Sequence, residues 1–262
     1  MVILLCEDSL EGIFTGIYDA YALRIPLDNV RLQVGEEENL RLFATYRQVQ
    51  PDTEKTGKVI RTLKQKFGME DYRALCMALS STDSEKAEAV FRTVVWGLSK
   101  GRRGSILAHL VDDNVRKVLE LSRGATNEMH HLRGFLRFQE LSDGILYAVI
   151  SPKNNIIPYL AEHFSDRLPM ENFLILDEGR DVYAVHPAGK EWFLVTGNPG
   201  SETDCTGQRA QEAFVSEEER YYQELFRHFW HTISIEGRKN LKLQRNMLPL
   251  RFRPYMIEFF EK

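Results

Sequence analysis

The spacing of apolar residues at the start of the chain predicts one buried strand followed by two amphipathic helices. Val2 to Leu5 form a short apolar run of the kind found in a buried strand. Ser9 is placed to cap a helix that should stop before Pro26. A second helix is predicted after Asp52, with Gly68 as its stop. These elements indicate a small, mostly helical α/β N-terminal part.

Helical spacing continues to about Met129, and strand patterns follow it. A wide apolar stripe after Glu85 predicts a core helix, and a strand is predicted to begin at Phe135. The turn Ser142-Asp143-Gly144 stands between two apolar runs and predicts a hairpin. The later elements are a short helix over 156–167, three apolar runs that predict an antiparallel meander over 173–195, and a long helix from Ser216 with Glu219 as its capping-box partner.

The sequence therefore predicts an α+β protein in which an antiparallel sheet is packed by helices. The polar cluster from Ser80 to Ser84 is the best linker candidate in the first half. It divides the chain into a mostly helical α/β part, residues 1–84, and a larger domain, residues 85–262. Residues 197–211 have almost no apolar content and are predicted to form a surface loop.

Cysteine usage and the absence of known motifs narrow the classes of function. The three cysteines are scattered and odd in number, which is typical of a reducing cytoplasm and provides no disulfide framework. No apolar run approaches the roughly 20 residues of a membrane span, so no membrane contact is expected. No phosphate-binding loop or nucleophile elbow is present, and His228 and His231, whose spacing could share a metal, have no further ligands marked in the sequence. We therefore expect no metal and no cofactor, and the sequence marks no catalytic residue.

A strongly basic stretch stands near the end of a chain whose formal net charge is −4. Between Gly237 and Pro254 there are six cations and no acidic residue. Phosphate groups of a nucleic acid could neutralise such a cluster. The alternative is a solvated helix whose cations meet acidic clusters of the same chain, such as Glu217-Glu218-Glu219. The six cations are Arg238, Lys239, Lys242, Arg245, Arg251 and Arg253, and Phe252 is the aromatic residue among them that is best placed to stack on a base.

A second run, from Met129 to Leu141, interleaves cations with aromatic residues. Arg133 and Arg137 are four positions apart, with phenylalanines beside them. Arginine pairs with phosphate in a bidentate manner and aromatic rings stack on exposed bases, so the pattern suits nucleic acid. His130 is a further candidate for a phosphate contact. The alternative is that the phenylalanines are core residues and the arginines are solvated or paired with carboxylates.

These residues, with a Trp192-containing meander and the Asn240…Pro249 tail, resemble an uncharacterised bacterial family whose members are described as probable DNA metabolism proteins. The resemblance covers roughly residues 85–260. The similar domain also occurs in front of a uracil-DNA glycosylase-like domain, and its free-standing form is associated with a radical-SAM protein assigned to DNA modification or repair. This sequence shows neither the glycosylase-like domain of the fused form nor the cluster-binding cysteines of a radical-SAM enzyme, so neither activity is expected from the resemblance. The resemblance thus implies an accessory role at DNA.

From residues and resemblance together we expect a cytoplasmic, DNA-binding accessory protein of a bacterial repair or modification system. The predicted nucleic-acid-binding residues are His130, Arg133, Arg137, Arg238, Lys239, Lys242, Arg245, Arg251, Phe252 and Arg253. One alternative is an interaction module that docks the radical-SAM partner without touching DNA. Another is an enzyme whose site is assembled from distant residues such as His163, His186 and Asp177.

Overall fold

The computed structural model of the chain describes residues 1–35, 41–99, 104–197, 215–233 and 235–259. The chain divides into two compact units, Met1–Asn127 and Glu128–Lys262. The predicted surface loop over 197–211 lies, from residue 198 onward, outside the described residues. The domain boundary after Ser84 stays a prediction. Ser80 and Ser81, which belong to the predicted linker, are buried within the first unit.

The first unit is built on a three-stranded parallel sheet with the strand order β2-β1-β3. Its elements in chain order are β1 (Val2–Cys6), α1 (Leu10–Ala22), β2 (Val30–Val34), β3 (Thr45–Gln48), α2 (Thr53–Phe67), α3 (Met69–Leu79), α4 (Lys86–Ser99) and the first part of α5 (Asp113–Phe135). The sheet is in register at Val2↔Val30 and Val2↔Thr45. Phe14, Leu75 and Phe91 lie fully buried in the core around it.

The predicted helix caps of this unit are confirmed. Ser9 Oγ accepts a hydrogen bond from the backbone N–H of Gly12 at 2.9 Å, and Asp52 Oδ1 accepts one from Lys55 at 3.0 Å. Gly68 ends α2 with a φ of +87°, a conformation that residues with a Cβ adopt at a cost. The prediction of a first buried strand and two capped helices is therefore correct.

The prediction of a strand from Phe135 is wrong, because α5 continues to that residue. Leu132 and Leu136 are both buried, four positions apart, which is the spacing of one helix face. A short apolar run of this kind is compatible with the spacing of a strand and with that of a helix, and here the helical spacing places its leucines in the core. Only the two-residue strand β4 (Gln139–Glu140) remains of the predicted first arm of the hairpin, and it pairs antiparallel with the second arm.

The second unit contains a five-stranded mixed sheet with the order β4-β5-β6-β7-β8. The remaining elements are β5 (Leu146–Ile150), α6 (Ile157–Arg167), β6 (Phe173–Asp177), β7 (Val182–His186), β8 (Phe193–Thr196), α7 (Glu217–Thr232) and α8 (Leu241–Met247). The antiparallel meander β6-β7-β8 is confirmed. However, β5 and β6 are parallel, because α6 returns the chain to the same end of the sheet before β6 begins. The α+β class is therefore correct, with a mixed rather than antiparallel sheet.

The long helix α7 also follows its predicted signal. Ser216 Oγ accepts a hydrogen bond from the backbone N–H of Glu219 at 3.1 Å and so caps α7. Asn240 caps α8 by accepting from the N–H of Leu243 at 3.0 Å. A 3-10 helix, Leu250–Tyr255, follows α8 and packs in the second unit. Among the described residues, no helix has the length and apolarity that crossing a bilayer requires.

Candidate nucleic-acid interface

The Leu250–Tyr255 helix packs on the end of α5 through Phe252. The ring of Phe252 lies 5.7 Å from the ring of His131 and 5.6 Å from that of Phe135, and the side chain is only 4% exposed. Burying a phenylalanine stabilises a fold by about 1.5–3 kcal/mol. A ring buried in this way has no face free for a base, so the expectation that Phe252 stacks on nucleic acid is corrected to a core role.

Arg251 is held by a buried carboxylate of its own chain. Its Nη1 lies 3.1 Å from Oε1 of Glu128, a side chain that is 2% exposed. Glu128 also accepts hydrogen bonds from the backbone N–H groups of Lys153 at 3.0 Å and Asn154 at 2.8 Å, and from Asn154 Nδ2 at 2.7 Å. The carboxylate thus joins α5, the loop after β5 and the Leu250–Tyr255 helix, and Arg251 neutralises it.

Arg137 and Arg253 are also turned inward. Arg137 Nη2 lies 2.9 Å from Oε1 of Glu258, while its Nη1 donates to the carbonyl of Gly134 at 2.9 Å. The guanidinium of Arg253 lies over the ring of Phe259 at 4.8 Å, and its Nε and Nη2 are buried. Arg137 and Arg251 thus each neutralise a carboxylate of their own chain, and Arg253 packs on an aromatic ring. That Arg137, Arg251 and Arg253 hold a phosphate backbone stays a prediction, and these internal partners compete with it.

His130 and Arg133 are exposed, but on another side of α5. Successive residues of a helix are about 100° apart, so Arg133 points away from the face formed by His131 and Phe135, which the Leu250–Tyr255 helix covers. Burial, followed by the charges of Arg133 and Arg167, lowers the pKa of His163. Arg133 therefore belongs to a small basic area with Arg167, a cation that the sequence analysis missed because it ends α6, away from either basic run.

The α8 region keeps its predicted exposure. Arg238, Lys239, Lys242 and Arg245 are all exposed. Within the described part of the chain, no carboxylate lies within ion-pair distance of Lys242 or Arg245. These two residues are three positions apart on α8 and share a face. The structure thus separates the ten predicted residues into internal ones, the α5 pair and an exposed cluster around α8.

Of the three residues considered for an assembled enzyme site, His163, His186 and Asp177, the last two do not come together. His186 is buried, lies 4.6 Å from the ring of Phe173 in a stacked arrangement, and its Nδ1 is 2.9 Å from the carbonyl of Glu171. Phe173 and Asp177 are at opposite ends of β6, about 13 Å apart. Across the described ranges, no three histidine, cysteine or acidic side chains group as a metal site requires.

Asp177 nevertheless lies in a polar cluster that sequence reasoning missed. It ends β6 beside the end of the parallel strand β5, and Arg180 Nη1 lies 2.9 Å from its Oδ2. Burial raises the pKa of Asp177, against the opposing hydrogen bond and charge of Arg180. Tyr255 donates to Oε2 of Glu178 at 2.9 Å nearby. The acidic turn after a buried strand was the available signal for this cluster.

Comparison with known proteins identifies a family and little more. A family model described as a domain of unknown function, DUF4130, matches residues 84–258, more than half of the chain. Among solved structures, a DHH domain of a member of the s1p family of ribosomal proteins is similar with a TM-score of 0.30 and 11% identity, over 70% of this chain and 73% of that chain. A TM-score so low carries no argument about fold or function. No curated protein matches the chain significantly.

Proposed function

Since the chain belongs to the DUF4130 family, a domain of unknown function, we propose a function from its own surface: it is an accessory DNA-binding protein of a bacterial repair or modification system. The observation that carries the proposal is the exposed α8 cluster, in which Lys242 and Arg245 have no carboxylate partner within the described residues. The stretch from Gly237 to Pro254 contains no acidic residue. A phosphate backbone would supply a counter-charge to Lys242 and Arg245.

The contact set is smaller than the ten residues that the sequence suggested. Arg238, Lys242 and Arg245 make the main contacts with phosphate. Arg133 and His130 lie on the other side of α5 and contribute only to DNA that is long enough to reach them. Backbone contacts of this type give affinity without base specificity and weaken steeply with salt. The role is therefore one of holding DNA for another protein, in keeping with the accessory role that the resemblance implies.

The test is DNA retention by the full chain over a series of salt concentrations. The variant that carries both Lys242→Glu and Arg245→Glu should bind a DNA duplex more weakly, with a slope of log affinity against log salt lower by about 2, because two phosphate contacts are lost. A control with Arg61→Glu and Lys66→Glu, two exposed cations of α2, changes the net charge equally. An unchanged affinity in the α8 variant, or an equal loss in the control, would refute the proposal.

One observation favours a second candidate, an interaction module that docks the radical-SAM partner without touching DNA. Leu241, Leu243 and Met247 of α8 are exposed beside the cations, and phosphate gives apolar side chains nothing to pack against. Co-purification of that partner after nuclease treatment, together with no DNA binding by the isolated chain, would select this candidate over the first.

A further inference from the structure

Helix α7 exposes a continuous apolar stripe. Tyr222, Leu225, Phe226 and Phe229 are spaced at i, i+3, i+4 and i+7, which places them on one face. Their exposed fractions are between 38% and 64%. Exposed apolar residues that stand singly are ordinary, but a contiguous stripe of four large ones marks a surface that is covered in the functional state.

The half-buried side of α7 is largely polar, because it carries Glu219, Gln223 and Arg227 beside Trp230. Gln223 Nε2 donates to Oε1 of Glu219 at 2.8 Å, and Arg227 Nε donates to the carbonyl of Gln223 at 3.3 Å. Trp230 supplies an apolar anchor, with its ring 5.6 Å from that of Phe259. The helix is therefore attached to its own unit without using its apolar stripe.

We infer that the stripe is covered by a second copy of this chain, with the two α7 helices antiparallel about a two-fold axis. The stripe is symmetric about the midpoint between Leu225 and Phe226. In an antiparallel pair, Leu225 of one copy meets Phe226 of the other, and Tyr222 meets Phe229. The same surface patch therefore serves both partners, as an isologous interface requires.

The charges at the two ends of the stripe complement each other in this arrangement. Glu217 and Glu218 stand in the first turn of α7. The chain that follows α7 carries the exposed cations Arg238, Lys242 and Arg245. Antiparallel pairing brings the acidic end of each helix toward the basic segment of the other copy, whereas parallel pairing would bring like charges together. Such complementarity sets the orientation of an interface.

Sedimentation equilibrium of the full chain over a range of concentrations tests the proposal. The wild-type protein should reach the mass of two chains, and Phe226→Asp should weaken the dimer by roughly thirty-fold or more, the effect of losing a central anchor. Met170→Glu is the matched control, because Met170 is an exposed apolar residue of the same unit that belongs to the turn before β6 and not to the α7 stripe. It should leave the association unchanged, and circular dichroism should show both variants folded.

Thiol cross-linking tests the orientation separately, in a background with Cys205→Ser. In the antiparallel pair, Leu225→Cys lies near the two-fold axis, about 8–10 Å from its copy, while Glu217→Cys lies about 25 Å from its own copy. A short bis-maleimide should therefore link the first variant and leave the second monomeric on a denaturing gel.

A wild-type chain that stays monomeric at every concentration would overturn the inference. So would a dimer that Phe226→Asp leaves intact, or cross-linking at residue 217, which a parallel or unrelated interface would produce. A stripe that captures a different protein while the chain alone remains monomeric also counts against it. None of these outcomes decides whether Lys242 and Arg245 bind a short DNA duplex, so the two proposals fail independently.

Discussion

Replacing Glu128 should destabilise the second unit far more than replacing its ionic partner Arg251. Glu128 is 2% exposed, whereas Arg251 is 49% exposed. The carboxylate accepts from three N–H groups of Lys153 and Asn154, as well as meeting the guanidinium. Its loss leaves buried donors without an acceptor, while the loss of the arginine leaves a carboxylate that still holds three hydrogen bonds.

The magnitudes follow from this asymmetry. Each buried donor left unsatisfied costs about 1–3 kcal/mol, and Glu128→Ala leaves the three N–H groups of Lys153 and Asn154 without their acceptor. We therefore expect Glu128→Ala to lower the free energy of unfolding by about 3–5 kcal/mol. Arg251→Ala should cost about 1 kcal/mol, because water solvates that side of the pair. Glu128→Gln should fall between them, since its amide nitrogen faces a backbone N–H in either orientation.

The assay is urea unfolding of the full chain, followed by circular dichroism and by the fluorescence of its tryptophans. Trp192 and Trp230 are in the second unit and Trp96 is in the first. The unfolding transition reported by Trp192 and Trp230 should therefore shift to a lower urea concentration. The exposed Glu162→Ala on α6 is the control, with a change within about 0.5 kcal/mol. A larger cost for Arg251→Ala than for Glu128→Ala would refute the reasoning, because the anchor would then be the arginine.

Three further predictions concern other buried groups. Phe252→Ala should cost about 3–5 kcal/mol in urea unfolding, whereas a surface ring would cost far less. Burial raises the pKa of Asp177 above its usual 3.8, so the folded state keeps the proton to a higher pH than the unfolded chain and stability is lost as pH rises through the raised pKa. The unfolding free energy of wild type relative to Asp177→Asn should therefore fall as the pH rises above the usual pKa of 3.8, and a flat difference would contradict this. Burial, followed by the charge of Asp19, raises the pKa of Cys6 to about 12, so iodoacetamide should leave this thiol unmodified at about pH 8 until urea unfolds the chain, as mass spectrometry can show.

Local signals were sufficient for most elements of the fold. Ser9, Asp52, Ser216 and Asn240 each cap a helix through a side-chain oxygen that bonds within three residues. Such contacts depend on a few neighbouring residues, so they can be recognised in the sequence. The parallel pairing of β5 and β6 depends instead on the path of α6 between them, which no local pattern states.

The carboxylate partners of Arg137 and Arg251 could not be predicted, because they lie far away along the chain. Arg137 meets Glu258, 121 positions away, and Arg251 meets Glu128 across a similar distance along the chain. Counting the cations in a short stretch of sequence does not reveal a carboxylate that lies more than a hundred positions away. Glu128 and Glu258 are each largely buried, and a buried carboxylate requires a nearby cation or several N–H donors. Arg251 and Arg137, two residues of the predicted interface, are the cations that pair with these carboxylates.

The α7 stripe and the α8 cluster are consecutive in the chain, so self-association and DNA retention would reinforce each other. A dimer presents two α8 clusters to one DNA molecule, and the second contact then forms at the high effective concentration set by the first. The apparent affinity for a duplex long enough to reach both clusters should therefore exceed that for a short one. Phe226→Asp should remove this length dependence and leave the affinity for the short duplex unchanged, because Lys242 and Arg245 are untouched. Loss of affinity for both duplexes would instead mean that α7 itself contacts DNA.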